Sequence, residues 1–239
     1  MFDFDLDRIF SEPDYPWLRI SGTLSAVEEY LKLLDQYVPH ISDQTLVRFL
    51  AEFKKKVAYT HPEDLETDLH RVKSLTEDLV PLFFHGAFVI ALWAAFECAI
   101  IELADYARKK EGARLVLSDL REPNTRRRLE LYLESVMRCK LTITSTLLEQ
   151  IENLQLIRNC LAHANGDLTQ QRDDRRKKIE SLAAGSSGVS IRNGNVIVEN
   201  HFAHLCMDAV IAYVNALLQQ LHETYPLKLS EKAKANRLP

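Results

Sequence analysis

Leu156-Ile157-Arg158-Asn159-Cys160-Leu161-Ala162-His163-Ala164-Asn165-Gly166 closes a helical pattern and ends on a dipeptide that stops helices. On a wheel of 100° per residue centred on Leu154, the side chains of Leu147, Ile151, Ile157 and Leu161 fall within about 60° and form one apolar stripe. Thr144 or Ser145 offers a hydroxyl cap at its start. At its end Asn165-Gly166 supplies two residues that tolerate left-handed backbone. The same wheel places Arg158 about 40° from the stripe centre, Asn159 about 140° and His163 about 180°. Ala162 lies within that arc and is small enough to leave a groove.

Working outward, most of the chain has the same helical period. Residues 1–20 are aromatic and acidic, carry Pro13 and Pro16, and read as an irregular arm able to pack on the core. Ser25 with Glu28 forms a capping box for a first helix. Asp43 to Tyr59 reads as a second helix, and Pro62 opens a third that runs to about Val80. An apolar helix spans about Phe83 to Lys110. A further helix follows Pro123 and extends to Met137 or Arg138, and the motif helix comes next.

Residues 167–188 are polar and read as an insertion with one short helix and a flexible end. Val189 to Val198 carries the β signal: Asn193-Gly194 fits a two-residue hairpin turn and sets Val189 opposite Val198 and Ile191 opposite Val196. A long helix from about Glu199 to Tyr225 ends at Pro226. The expected fold class is all-α, a helical bundle with one small β-hairpin before the last helix. Residues 1–79 form an N-terminal helical extension and 80–225 the main helical domain, with 167–198 as a charged insertion plus hairpin. Residues 226–239 read as a flexible tail.

Composition narrows the partners. A net charge of -4 excludes a protein that coats nucleic acid through bulk charge, so any RNA contact must be local. Cys98, Cys139, Cys160 and Cys206 are dispersed and form no metal-ligand or disulfide framework, which points to reduced thiols and a cytoplasmic setting. The start Met1-Phe-Asp-Phe-Asp lacks the basic and apolar regions of a signal peptide. Leu82 to Ala104 has the length of a membrane span, but Glu97 and Glu102 make insertion costly, so a buried central helix and no membrane are expected. His85, His201, His204 and His222 are too scattered for a zinc site, and no phosphate-cradling loop or nucleophile elbow is present. No metal or cofactor is expected.

The chemistry therefore falls to the motif helix. Arginine holds phosphate in a planar fork, and histidine exchanges protons near neutral pH. An ideal helix does not bring Arg158 and His163 together. They converge if the helix end distorts, or if a second copy packs across the groove to make a two-fold homodimer. In such a cleft one histidine removes the proton from a ribose 2′-hydroxyl and another protonates the departing 5′-oxygen. Arginine stabilises the charge that builds on the phosphate. The products are a 2′,3′-cyclic phosphate and a 5′-hydroxyl, and no metal is required.

Ile157-Arg-Asn-Cys-Leu-Ala-His-Ala-Asn-Gly166 resembles the signature of the HEPN superfamily, in which Arg and often Asn are followed by three residues and His. The apolar segment Ala91 to Glu102, with its embedded acid, and the final helix after a small hairpin are similar to that family as well. The resemblance covers roughly residues 80–222. It implies a helical dimer, often a metal-independent ribonuclease of toxin–antitoxin, phage-defence or RNA-processing systems, with Arg158, Asn159 and His163 as site residues and an antitoxin or other regulatory protein as a further partner. A subclass paired with nucleotidyltransferase antitoxins carries Tyr two residues after the His, where this chain has Asn165. A non-catalytic dimeric module that binds nucleotide, RNA or protein is the alternative.

Glu97 shares a stripe with Ile90, Trp93, Ile100 and Ala104. It either holds Arg158 or His163 in position, pairs with a structural Arg or Lys, or is simply exposed. Three basic clusters are candidates for RNA backbone: Arg126-Arg127-Arg128, Arg138 with Lys140, and Arg175-Arg176-Lys177-Lys178. The last adjoins the motif helix and is the best placed.

Overall fold

The computed structural model describes residues 6–12, 14–56, 62–138, 141–185 and 187–227. The helices are α1 (Leu6–Ser11), α2 (Trp17–Lys56), α3 (Pro62–Ser74), α4 (Val80–Glu111), α5 (Thr125–Ser135), α6 (Ser145–Ala164), α7 (Asp173–Ala184) and α8 (Asn200–Thr224). Strands β1 (Val189–Arg192) and β2 (Asn195–Val198) form an antiparallel hairpin immediately before α8. The all-α class with one hairpin is thus the observed architecture.

The N-terminal third departs from the expected boundaries. Ser25 does not cap a helix. It lies inside α2, which starts eight residues earlier, where the amides of Arg19 and Ile20 bond to the carbonyl of Pro16. Pro39 does not divide α2 either. A mid-helix proline forfeits one backbone bond, but Leu34 and Val38 beside it are buried, and Ser42 bonds across to the Thr76 carbonyl at 3.2 Å. Tertiary contacts outweigh the local break.

Between α3 and α4 the chain keeps its helical course through a wide π-type turn, Leu75–Leu79, where the amide of Val80 reaches back to Leu75 O. Pro81 follows and has no amide to give. Two carbonyls four and five residues before it, Glu77 and Thr76, accept side-chain donors instead: Arg192 Nη1 at 3.2 Å and Ser42 Oγ at 3.2 Å. Arg192 also pairs with Asp78 at 3.2 Å, which ties the hairpin to the turn. The missing amide of Pro81 frees one of these carbonyls, and the side chains of Arg192 and Ser42 tie the hairpin and α2 to the turn.

The chain divides into two compact units. The first comprises residues up to Thr23, Ala95–Leu147, and Ile211 onward. Its core includes Trp17, Ile100, Leu103, Leu129, Tyr132 and Leu217. Phe96 and Tyr213 meet edge to face with ring centroids 5.2 Å apart. The N-terminal residues expected as an irregular arm are built into this core. Arg8 of α1 is buried and donates to Tyr106 Oη and to the Tyr225 carbonyl, each at 2.8 Å. Burial raises the Glu12 pKa, but bonds from Lys110 and Tyr106 and the charge of Arg8 outweigh it and hold the group below the ordinary range.

The second unit comprises Leu24–Ala94 and Leu148–Val210. Leu24, Leu31, Phe88, Leu92, Ile151, Leu154, Ile157, Val196, Val198 and Phe202 form its core. The hairpin has the expected register, Val189 with Val198 and Ile191 with Val196. Asn193 and Gly194 take φ of 51° and 78°, as a two-residue turn demands. One apolar face was anticipated, yet Ile197 on the opposite face is buried too. The segment expected as an insertion with a flexible end holds the three-turn helix α7. Its exit is pinned by Ser187 Oγ on Leu182 O and by the Glu199 amide on Gly188 O, both at 2.8 Å.

By length and composition, two helical segments, Glu66–Glu111 and α8, would cross a membrane, yet each has about half of its most apolar window covered by protein.

Gly188, at φ 78°, has no room for a side chain, because a Cβ there would lie 2.5 Å from the Phe202 amide nitrogen. Gly194 at the hairpin tip has open space around it. Gly188→Ala should therefore destabilise by about 2–4 kcal/mol, combining left-handed strain with overpacking. Gly194→Ala should cost about 1–2 kcal/mol from strain alone. Urea denaturation of the two variants checks the order.

Candidate functional site

Helix α6 forms as its pattern requires. Thr144 Oγ1 accepts from the Leu147 amide at 3.3 Å, and Ile151, Leu154, Ile157, Cys160 and Leu161 are buried. Leu147, at the start of the stripe, is only half-buried. At the other end Asn165 and Gly166 adopt φ of 49° and 84°, and the Gly166 amide closes back on Cys160 O at 3.2 Å. The stop is then stitched to the hairpin: Val196 N donates to Gly166 O at 2.9 Å, and Leu168 N to Gly194 O at 3.0 Å. Gly166 lies so close to Leu82 and to the Val196 carbonyl that a Cβ would come within 3.2 Å of each. The C-terminal end of the motif helix is therefore a fixed platform.

On that platform Arg158 is half-buried, and its Nη1 donates to Asn159 Oδ1 at 2.9 Å. Its Nε is enclosed without an acceptor, and no carboxylate among the described residues forms a salt bridge with it. His163 is exposed in the last turn, where an imidazolium would complement the helix dipole. The helix stays regular through Ala164, so Arg158 and His163 point about 140° apart, and no bond joins them. Asn159 is brought to Arg158. His163 is not.

Cys160 lies between the two groups but faces the core, and burial pushes its thiol up to about 11, well away from a nucleophile. Cys98 is exposed and Cys206 buried with its pKa raised by desolvation; Cys139 and Lys140 lie outside the described residues.

Glu97 is half-buried, with Trp93, Ile100 and Ala104 of its stripe in the core but Ile90 exposed. Its Oε1 accepts from Thr125 Oγ1, the first residue of α5, at 2.8 Å. The partner observed is thus a hydroxyl, neither a structural cation nor a site residue. A carboxylate held by a side-chain hydroxyl of another helix in this way leaves no distinctive sequence spacing.

The basic clusters divide by use. Arg126 is buried and ion-paired with Glu130, and Arg128 Nε donates to Glu122 O at 2.6 Å, so the first cluster serves structure. Arg175, Arg176, Lys177 and Lys178 are exposed on α7, which Ile179 anchors to the core. Arg176 is engaged by Glu180 at 2.8 Å, whereas Arg175 and Lys178 share a helical face and have no acidic partner among the described residues. Asp173 and Asp174 sit in the first turn, where they favour the positive end of the dipole. Among the described residues no cluster of His, Cys, Asp or Glu is arranged to hold a metal ion.

Comparison of the chain with protein-family models, with curated proteins and with solved structures found no match. The arrangement around α6 is therefore interpreted on its own geometry.

Sequence reasoning passed over His85. It is buried on α4, and its Nδ1 lies 3.1 Å from the carbonyl of Val198 at the end of β2. Desolvation lowers its pKa below 6.5; the Val198 bond and Asp35 oppose the shift, and His204 adds to it. The folded state thus resists protonation that the unfolded chain accepts. Stability should fall as pH drops below about 6.5 toward the depressed folded value. Replacing His85 with Gln should flatten that acid-side loss between pH 7 and 5, as measured by thermal denaturation at each pH.

Proposed function

We propose that this chain is a HEPN-like, metal-independent endoribonuclease that acts as a homodimer. The observation that carries the proposal is Arg158: a half-buried guanidinium, oriented by Asn159, with no neutralising carboxylate among the described residues. Arg8 and Arg126 also enclose an Nε without an acceptor, but each has a carboxylate beside it, Glu12 and Glu130, and Arg158 has none among the described residues. Arg158 retains its capacity for an anion such as a phosphodiester.

The regular end of α6 favours a two-chain site. Because the helix does not distort before Ala164, one copy does not aim His163 at the phosphate held by its own Arg158. A second α6 packed across the surface of Ala162 supplies the missing imidazole. One His163 then takes the 2′-hydroxyl proton as the 2′-oxygen attacks phosphorus. The other donates a proton to the 5′-oxygen as the P–O5′ bond breaks. The paired Arg158 groups stabilise the extra negative charge on the phosphate oxygens. Exposed Arg175 and Lys178 on α7 offer contacts for the flanking RNA backbone, with Lys177 and the Glu180-paired Arg176 beside them. By analogy with the family, the setting is a cytoplasmic toxin or phage-defence effector restrained by an antitoxin or other regulatory protein. No membrane association or cofactor belongs to this reading.

Cleavage of a generic RNA in the presence of chelator tests it. The parent chain should generate 2′,3′-cyclic phosphate ends, and DNA should be untouched. His163→Ala and Arg158→Ala should each lower the rate about 10²–10⁴-fold with unchanged helicity. RNA binding that survives without cutting would assign the chain to the non-catalytic module instead.

A further inference from the structure

Helix α2 buries one face and exposes a second that nothing in the fold uses. Leu24, Leu31, Leu34 and Val38 form the buried side. Opposite them runs Leu33-Tyr37-His40-Gln44-Val47-Ala51, spaced 4-3-4-3-4, and every one of these residues is exposed. This is the 3.5-residue repeat of a coiled-coil seam on an uninterrupted 40-residue helix. Leu33, Tyr37 and Val47 are 50%, 49% and 65% exposed, large values for apolar side chains.

The seam is a palindrome. Turned end for end about the level of residue 42, it sets Leu33 against Ala51, Tyr37 against Val47 and His40 against Gln44. Apolar residues meet apolar ones, a large side chain meets a small one at the end, and the two polar residues meet at the centre. His40 and Gln44 already hydrogen-bond at 2.8 Å within one copy, so the same groups are suited to bond between copies. A polar layer of this kind fixes register in coiled coils.

Charge points the same way. Glu28 and Glu29 lie near the start of the stripe, with Lys32 bridging them at 3.7 and 2.7 Å. Lys55, flanked in sequence by Lys54 and Lys56, lies near its end, so one acid remains in excess at the start and the lysines at the end. Antiparallel pairing brings the acidic level of one helix to the basic level of the other, whereas parallel pairing would stack like charges.

We infer that this face of α2 docks a second copy of this chain as a two-fold antiparallel coiled coil over Leu33–Ala51, a seam about 27 Å long. The contact is separate from the motif cleft and does not depend on the ribonuclease reading.

Disulfide trapping tests the register in the full chain with Cys98→Ser. Tyr37→Cys and Val47→Cys chains, mixed and mildly oxidised, should form a linked dimer. Each variant alone should not, because like positions lie about 15 Å apart along the antiparallel seam. Absence of the mixed product, or equal linking of Tyr37→Cys with itself, would overturn the proposal. In an Ala162→Arg background, which blocks pairing across the motif cleft, Val47→Glu on the exposed face of α2 should weaken the remaining self-association at least tenfold in sedimentation equilibrium. Unchanged association would also overturn it.

Discussion

A helix that ends inside a protein must find donors for its last carbonyls, and in this chain the position of every candidate site residue depends on how α6 meets that demand. The left-handed pair Asn165-Gly166 turns the backbone back on Cys160, and β2 then takes the Gly166 carbonyl. The hairpin is itself attached to the π-type turn before α4 through Arg192, Asp78 and the Glu77 carbonyl. A chain of bonds, made by the Arg192 side chain at the turn and by backbone amides at the hairpin, thus runs from the turn before Pro81 to the end of the motif helix. Arg158 and His163 inherit their fixed directions from it.

The arginines of this protein separate into two groups by what surrounds them. Arg8 has a phenol and a carbonyl as acceptors, with a carboxylate nearby, and Arg126 has a carboxylate, so burial of either charge is compensated. All three enclose an Nε without an acceptor, but Arg158 has only the Asn159 amide oxygen and no carboxylate among the described residues. A guanidinium in that condition costs stability unless an anion completes it. This missing carboxylate, rather than the motif letters, is the physical argument behind the proposed anion site, and exposed His163 points away from it along the same helix.

How far each feature was legible depended on whether its forces are local. The α6 boundaries, the Asn193-Gly194 turn and the hairpin register follow from neighbours a few residues apart, and all three match the structure. In residues 1–82 the start at Pro62 matches as well, but the other breaks do not. Ser25 and Glu28 have the letters of a capping box, and Pro39 and Pro81 have those of breaks, yet helix continues through each. In each case a distant contact outweighs the local preference: Trp17 in the core, Ser42 on Thr76 O, Arg192 on Glu77 O. Glu97 is half-buried on the stripe with Trp93 and Ile100, but its partner Thr125 lies 28 residues away and no periodicity points to it.

Apolar spacing, turn chemistry and the left-handed stop were enough to specify a helical protein, its hairpin and the order of Arg158, Asn159 and His163 along one helix, because those properties arise within a few residues of chain. Which charges are neutralised, which proline frees a carbonyl and which face of α2 stays bare arise from segments that meet after folding. Burial prices a polar group by its surroundings in space, and these are not its surroundings in sequence.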